Sequence, residues 1–239
     1  MKSYPNPLLS REVMIDEARA HREADRLISG EYWSEGQGCS VGCSVETVNR
    51  LMGDWMSHDD HAGLAAALGI PEPLVQLQDA IFEGLGGFEG LGGVAQMLWP
   101  ERFYTALPEG ADLSGVWPLF ATWMLRQVVS PVAGVNRAVV ERVADGIETN
   151  WAHDDRIAAR AAARAAACDV AGFAAWAAEL TAAGAAAGAI WLVADSAEAA
   201  AEAARTVAEF AAAVDADATW NKMADRLCEL MAACGETVA

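Results

Sequence analysis

Along most of the chain apolar residues recur at three- and four-residue intervals, and sustained period-two alternation is absent. That pattern predicts helices and no sheet. Ser10 is placed to cap a first helix reaching about residue 28, with Val13, Met14, Ala20, Ala24, Leu27 and Ile28 on its apolar face and Gly30 closing it. A second helix is expected over 45–56 with Ser44 as its N-cap. A short helix should follow and end at Gly69. Pro71 opens the next, on which Leu74, Leu77, Ile81 and Leu85 form a stripe. Residues 100–107 read as a short helix, and Ser114 as the cap of a strongly apolar one carrying Trp117, Phe120 and Trp123. Another starts near residue 135, and a last one, over 217–234, carries Trp220, Met223, Leu227, Leu230, Met231 and Cys234 at helical spacing. The expected fold class is all-α.

Composition changes in the second half. Alanine fills 30 of the 58 positions from 157 to 214, after a helix-start signal at Asp154-Asp155. Alanine has the strongest helix propensity and the smallest side chain, so helices built from it can pack with closely spaced axes. Gly184 and Gly188, four apart, would allow the nearest approach. A single domain over 1–239 is expected, with a possible subdivision into a glycine- and aromatic-rich part, 1–152, and an alanine-rich part, 153–239.

The charge balance narrows the partners. Thirty-four acidic residues against 16 basic ones give a net charge of −18. Such a surface repels nucleic acid, so no direct nucleic-acid contact is expected. It could also imitate nucleic acid toward a basic protein. The N-terminus has no apolar run of the signal-peptide kind, and the longest uncharged stretch, 180–194, is too short to span a bilayer. A cytoplasmic protein with no membrane contact is expected, with homo-oligomerisation left open. The five cysteines are an odd number, and reduced thiols are the default in that compartment.

Chemistry concentrates in residues 31–44, where Tyr32 and Trp33 precede Gly36, Gly38, Cys39, Gly42, Cys43 and Ser44. Glycines permit close backbone approach, and a glycine loop entering a helix N-terminus offers amide N–H groups to an anion. The site expected here takes a small anionic, nucleotide-like ligand. Tyr32 or Trp33 would stack, Gly38, Cys39, Gly42 and Cys43 would offer backbone N–H groups, and Arg22 or Arg26 would take phosphate, with His61 and Glu83 close by. Fourteen of the 16 basic residues are arginine, and Arg156, Arg160 and Arg164 form a second stripe.

Several of these pieces together resemble an uncharacterised family of bacteriophage and prophage proteins. They are Glu31-Tyr32-Trp33, the Gly36-to-Cys43 run, His61, Leu68-Gly69-Ile70-Pro71, the segment from Asp79 to Leu85, and the alanine-rich C-terminal half. The resemblance implies a viral accessory protein acting in the host cytoplasm, with counter-defence as the expected setting. Its partner would be a small ligand, sequestered by binding, or a host defence protein.

Two other function classes fit the same residues. Cys39 could be a nucleophile with His61 as its base. His58-Asp59 resembles the metal-binding pair of HD-type phosphohydrolases, onto whose pattern His21 and Asp154 can be mapped. Asp79 and Glu83, one turn apart, could serve a metal or a ribose hydroxyl. Cysteine and histidine spacing is not that of a zinc site, so no metal and no cofactor are expected. In the third class the acidic surface covers a basic, nucleic-acid-binding host protein. Each feature also has a purely structural account: packing cysteines, helix-capping aspartates, solvated carboxylates and surface ion pairs.

Overall fold

The computed structural model describes residues 2–86, 93–129, 137–148 and 218–235. The Asp154-Asp155 signal, the alanine tract with Gly184 and Gly188, Cys168 and the Arg156, Arg160 and Arg164 stripe lie outside them. The described residues are helical, with isolated bridges and no strand, so the fold is all-α. None of their helices is long and apolar enough to cross a membrane.

The chain divides into two compact units, residues 1–117 with 220–239, and residues 118–219. The change to alanine-rich sequence lies inside the second unit. In the first unit, a 3-10 turn Pro7–Leu9 precedes α1, Arg11–Glu23, which Ser10 caps by accepting from the Val13 amide at 3.3 Å. Then come α2, Ser40–Met52, α3, His61–Leu68, α4, Glu72–Leu85, and α5, Val94–Ala106. Helix α6, Val116–Met124, crosses the division between the units, and a last helix, α8, covers 218–233.

Four boundaries differ from the sequence pattern, each for a physical reason; the end of α2 falls at Met52 rather than 56, because Gly53 takes the left-handed cap conformation with φ 71°. Helix α1 stops at Glu23, and Leu27 and Ile28 instead pair with Gly38 through a bridge and an amide bond of 3.0 Å. Helix α2 begins at Ser40 rather than 45, because Cys39 Sγ caps it by accepting from the Gly42 amide at 3.4 Å. Ser44 lies inside that helix, its hydroxyl donating back to the Ser40 carbonyl at 2.8 Å. Helix α5 starts at Val94 and runs through Pro100, because Trp99, Phe103 and Tyr104 are fully buried and their packing outweighs one lost backbone bond.

The core of this unit is knit by a polar chain as well as by apolar contact. Tyr104 donates to Ser44 Oγ at 2.6 Å and Gln78 to Ser40 Oγ at 2.8 Å, while Trp99 Nε1 donates to the Gln78 carbonyl at 2.8 Å. Helices α2, α4 and α5 are thereby fixed in register, which holds the start of α2 against the middle of α4. Trp220 seats α8 on α4, its ring where a Cβ on Gly84 would lie.

The second unit contains the end of α6, a π-helical turn Leu125–Val129, and α7, Arg137–Glu148. Phe120, Met124, Leu125 and Ala144 are buried. Arg126 draws α7 in through Glu141, Asp145 and Glu148 at 3.6, 2.7 and 2.6 Å.

Candidate functional site

Residues 24–39 form a compact loop built on backbone pairing. Gly38 donates to the Arg26 carbonyl at 2.9 Å, and Cys39 to the Glu31 carbonyl at 2.8 Å. Ser34 and Gln37 exchange amide bonds around Glu35 and Gly36, whose φ values of 52° and 89° make a type I′ turn. The loop lies directly on the start of α2. A Cβ on Gly42 would fall 1.4 Å from the Tyr32 carbonyl oxygen, and one on Gly38 2.1 Å from the same atom. These glycines therefore serve close packing of the Tyr32 backbone. The Gly38, Cys39, Gly42 and Cys43 amides all donate inside the protein, the last to the Cys39 carbonyl at 3.0 Å. That corrects the picture of amides turned to an anion.

Tyr32 and Trp33 send their side chains to different places. Tyr32 meets His61 edge to face at 5.5 Å and points its hydroxyl at Asp79 Oδ2, 3.4 Å away. Asp79, 4 % exposed, is the centre of a buried cluster. Its Oδ1 accepts from the Cys39 thiol at 3.3 Å, and His61 Nε2 lies 3.5 Å from Oδ2. Glu83, one turn further along α4, holds the Gly30 amide between its oxygens at 3.1 and 3.2 Å. One donor atom from each of Cys39, Asp79 and Glu83 falls within 4.8 Å of the others.

The electrostatics of the cluster follow from burial. Desolvation pushes the Cys39 thiol well above its ordinary range, and the neighbouring Asp79 carboxylate raises it further. Burial lowers the His61 pKa, but the hydrogen-bonding and charge influence of Asp79 outweighs it, so the net shift is upward. The pairing of Cys39 with His61 as nucleophile and base is corrected here: a carboxylate stands between them, and the thiol donates to it.

Trp33 turns to the other side of the loop. Its ring stacks on His58 at 5.2 Å with 7° between planes and meets His21 edge to face at 6.1 Å. Beside it opens a pocket of about 500 Å³, lined by Trp33, Arg26, Arg50, Glu17, Glu35 and Glu46 among others. Arg50 is ion-paired with Glu17. Among the described residues the Arg26 guanidinium has no acidic partner. Arg22 lies elsewhere, bound to Glu101 at 2.7 Å beside Arg19, which corrects its place as a phosphate ligand.

The HD-type pattern does not assemble. His58 is taken by Glu46 at 3.1 Å and by the Trp33 stack, while exposed Asp59 accepts from Ser57. His21 bonds Thr47 at 3.3 Å, and Asp154 lies outside the described residues. Of the residues expected at the site, Tyr32, Cys39, His61 and Glu83 converge on Asp79, whereas Trp33 and Arg26 line the pocket. Cys43 is buried, near the Gly38 and Arg26 carbonyls at 3.5 and 3.8 Å. Asp79 itself was visible from the sequence only as one carboxylate of a helical pair; nothing local marks it as the centre. No protein-family model, curated protein or solved structure matches the chain.

Proposed function

We propose that the chain is a binding protein whose pocket beside Trp33 takes a small planar ligand carrying one anionic group, such as a nucleoside monophosphate. The observation that carries this reading is the Arg26 guanidinium, which lines the pocket without an acidic partner among the described residues. A guanidinium is a two-pronged donor suited to phosphate, and the indole beside it, one face of which His58 already covers, adds an aromatic wall for a base. The four carboxylates of the lining, Glu17, Asp25, Glu35 and Glu46, refine the ligand. They repel a polyphosphate, and they are good acceptors for sugar hydroxyls and exocyclic amines. Sequestration is one of the two counter-defence roles, beside blocking a host effector, that suit the viral accessory origin implied by the resemblance, and the pocket lining favours it because none of its side chains pairs a nucleophile with a base.

Calorimetric titration with AMP, GMP, a cyclic mononucleotide and ATP tests the proposal. A monophosphate is expected to bind more tightly than ATP, and chromatography is expected to return it intact. Arg26→Ala should weaken binding by about 1–3 kcal/mol through loss of a charge-assisted contact, while Arg22→Ala should leave it unchanged. Absence of binding by every nucleotide, or equal losses at Arg22 and Arg26, would overturn the reading.

A further inference from the structure

The Asp79 cluster is not used by the pocket, and its donor set has a chemistry of its own. We propose that Cys39, Asp79, Glu83 and His61 hold a divalent transition-metal ion of the zinc class. Three donor atoms from Cys39, Asp79 and Glu83 already lie within 4.8 Å of one another. The Cys39 Sγ to Asp79 Oδ1 separation is 3.3 Å. A tetrahedral centre with metal–sulfur and metal–oxygen bonds of the usual lengths has a ligand-to-ligand edge of about 3.5 Å. That one edge is nearly the length it would have around an ion; the Glu83 oxygen, within 4.8 Å, must close in, and His61 Nε2, outside this group of three, must turn toward it.

His61 supplies the independent observation. The residue is 8 % exposed, and its Nδ1 lies 2.9 Å from the Asp59 carbonyl, a partner that can only accept. Nδ1 must carry the hydrogen. In the neutral ring, Nε2 then presents a lone pair, and that atom is buried with no hydrogen bond of good geometry, its one acidic neighbour being Asp79 Oδ2 at a long 3.5 Å. Two acceptors facing each other in a low dielectric are unfavourable, and a proton or a cation between them removes the conflict. An imidazole whose other ring N–H is fixed on a backbone carbonyl is the usual posture of a metal-ligating histidine.

The surroundings serve the same end. The Gly42 amide at the start of α2 bonds Cys39 Sγ and would support a thiolate, and the Gly30 amide fixes the Glu83 carboxylate. Tyr32, 38 % exposed, and half-buried Glu83 give the cluster a solvent side. Thiolate with imidazole and carboxylate favours zinc, cobalt or iron(II) over magnesium or calcium, which prefer oxygen alone. Binding displaces the thiol proton to solvent, with no change of oxidation state.

The test uses the full chain, stripped with a chelator and titrated with zinc or cobalt chloride. One equivalent is expected to bind, and the cobalt form should show a thiolate-to-cobalt charge-transfer band in the near ultraviolet. Cys39→Ser should abolish that band. Glu83→Gln should weaken zinc binding by more than the roughly 10- to 100-fold that follows loss of an outer partner. His61→Ala should weaken it comparably, and circular dichroism should show each variant still helical. Folded wild-type protein that takes up no stoichiometric metal would overturn the proposal, and the cluster would then be held by a proton. A cobalt band that survives in Cys39→Ser would overturn it equally, by placing the ion on another cysteine. If the variants fail to fold, the wild-type titration and its spectrum still decide.

Discussion

On the Tyr32 side of the loop polar groups are buried and face one another, whereas on the Trp33 side charged groups open toward water. Asp79, Cys39 and His61 are all under a tenth exposed, with Cys39 3.3 Å and His61 3.5 Å from Asp79. Arg26, Glu35 and Glu46 rim an open pocket. Neighbouring residues of one loop thus serve two dielectrics. Where water is excluded, each charge demands a fixed counterpart, so geometry is tight and ligand choice narrow. Where water remains, a charge can wait for a ligand and let it go again. The two sides share the loop backbone, the start of α2 on which it rests, and the short 58–61 segment, which sends His58 to one and His61 to the other.

The shared support is the place to break both at once. Gly42→Val puts a side chain where the Tyr32 carbonyl lies, 1.4 Å from the position of Cβ. The loop must leave the helix, so a destabilisation of about 3 kcal/mol is expected, together with loss of nucleotide and metal binding. A urea-denaturation midpoint equal to wild type would show that the backbones do not meet. Gly36→Ala sharpens the comparison, since nothing lies within 4 Å of its Cβ and only its φ of 89° opposes a side chain. About 1 kcal/mol is expected from that strain alone.

Substitutions at the two aromatic residues should separate the sides. Trp33→Ala removes the His58 stack and the His21 edge contact and should cost about 2 kcal/mol, with nucleotide affinity lost and zinc uptake kept. Tyr32→Phe removes one long hydrogen bond to Asp79, worth about 0.5–1 kcal/mol, and should leave nucleotide affinity unchanged. Calorimetry with both ligands on both variants checks this. If each variant damages both ligands equally, the two sides are one site.

The sequence revealed what local chemistry determines. Ser10, Gly69 and the stripe of α4 could be read because caps and helical periodicity act within a few residues. The loop at 31–44 stood out by composition alone. What could not be read was set by distant partners. Cys39 outcompetes Ser44 as the cap of α2 because Ser40 and Ser44 are claimed by Gln78 and Tyr104, 38 and 60 residues away. Likewise Gly38 and Gly42 resemble an anion loop until the Tyr32 backbone is seen to fill the space above them. Arg22 and Arg26 look alike along the helix; only Glu101 on α5 tells them apart. Asp79 gathers Tyr32 from the loop, Cys39 from the cap of α2 and His61 from α3, a juxtaposition that no spacing rule encodes.

The smallest effect expected is a pH dependence on the pocket side. Burial lowers the His21 pKa from its ordinary 6.5, with Arg26 adding to the shift, Glu17 and Glu46 opposing it, and Arg50 adding again. Because the folded pKa is the lower one, the unfolded chain takes up the proton first as the pH falls. Stability from the neutral ring is therefore complete above about pH 6.5 and is lost progressively below it, until the folded pKa is passed. His21→Gln removes this titration, so the difference between wild type and variant isolates it from carboxylates that titrate lower. Urea midpoints measured from about pH 8 to pH 5 should show wild type losing stability faster than the variant across that window. Parallel curves would mean that His21 meets water as freely in the folded chain as in the unfolded one.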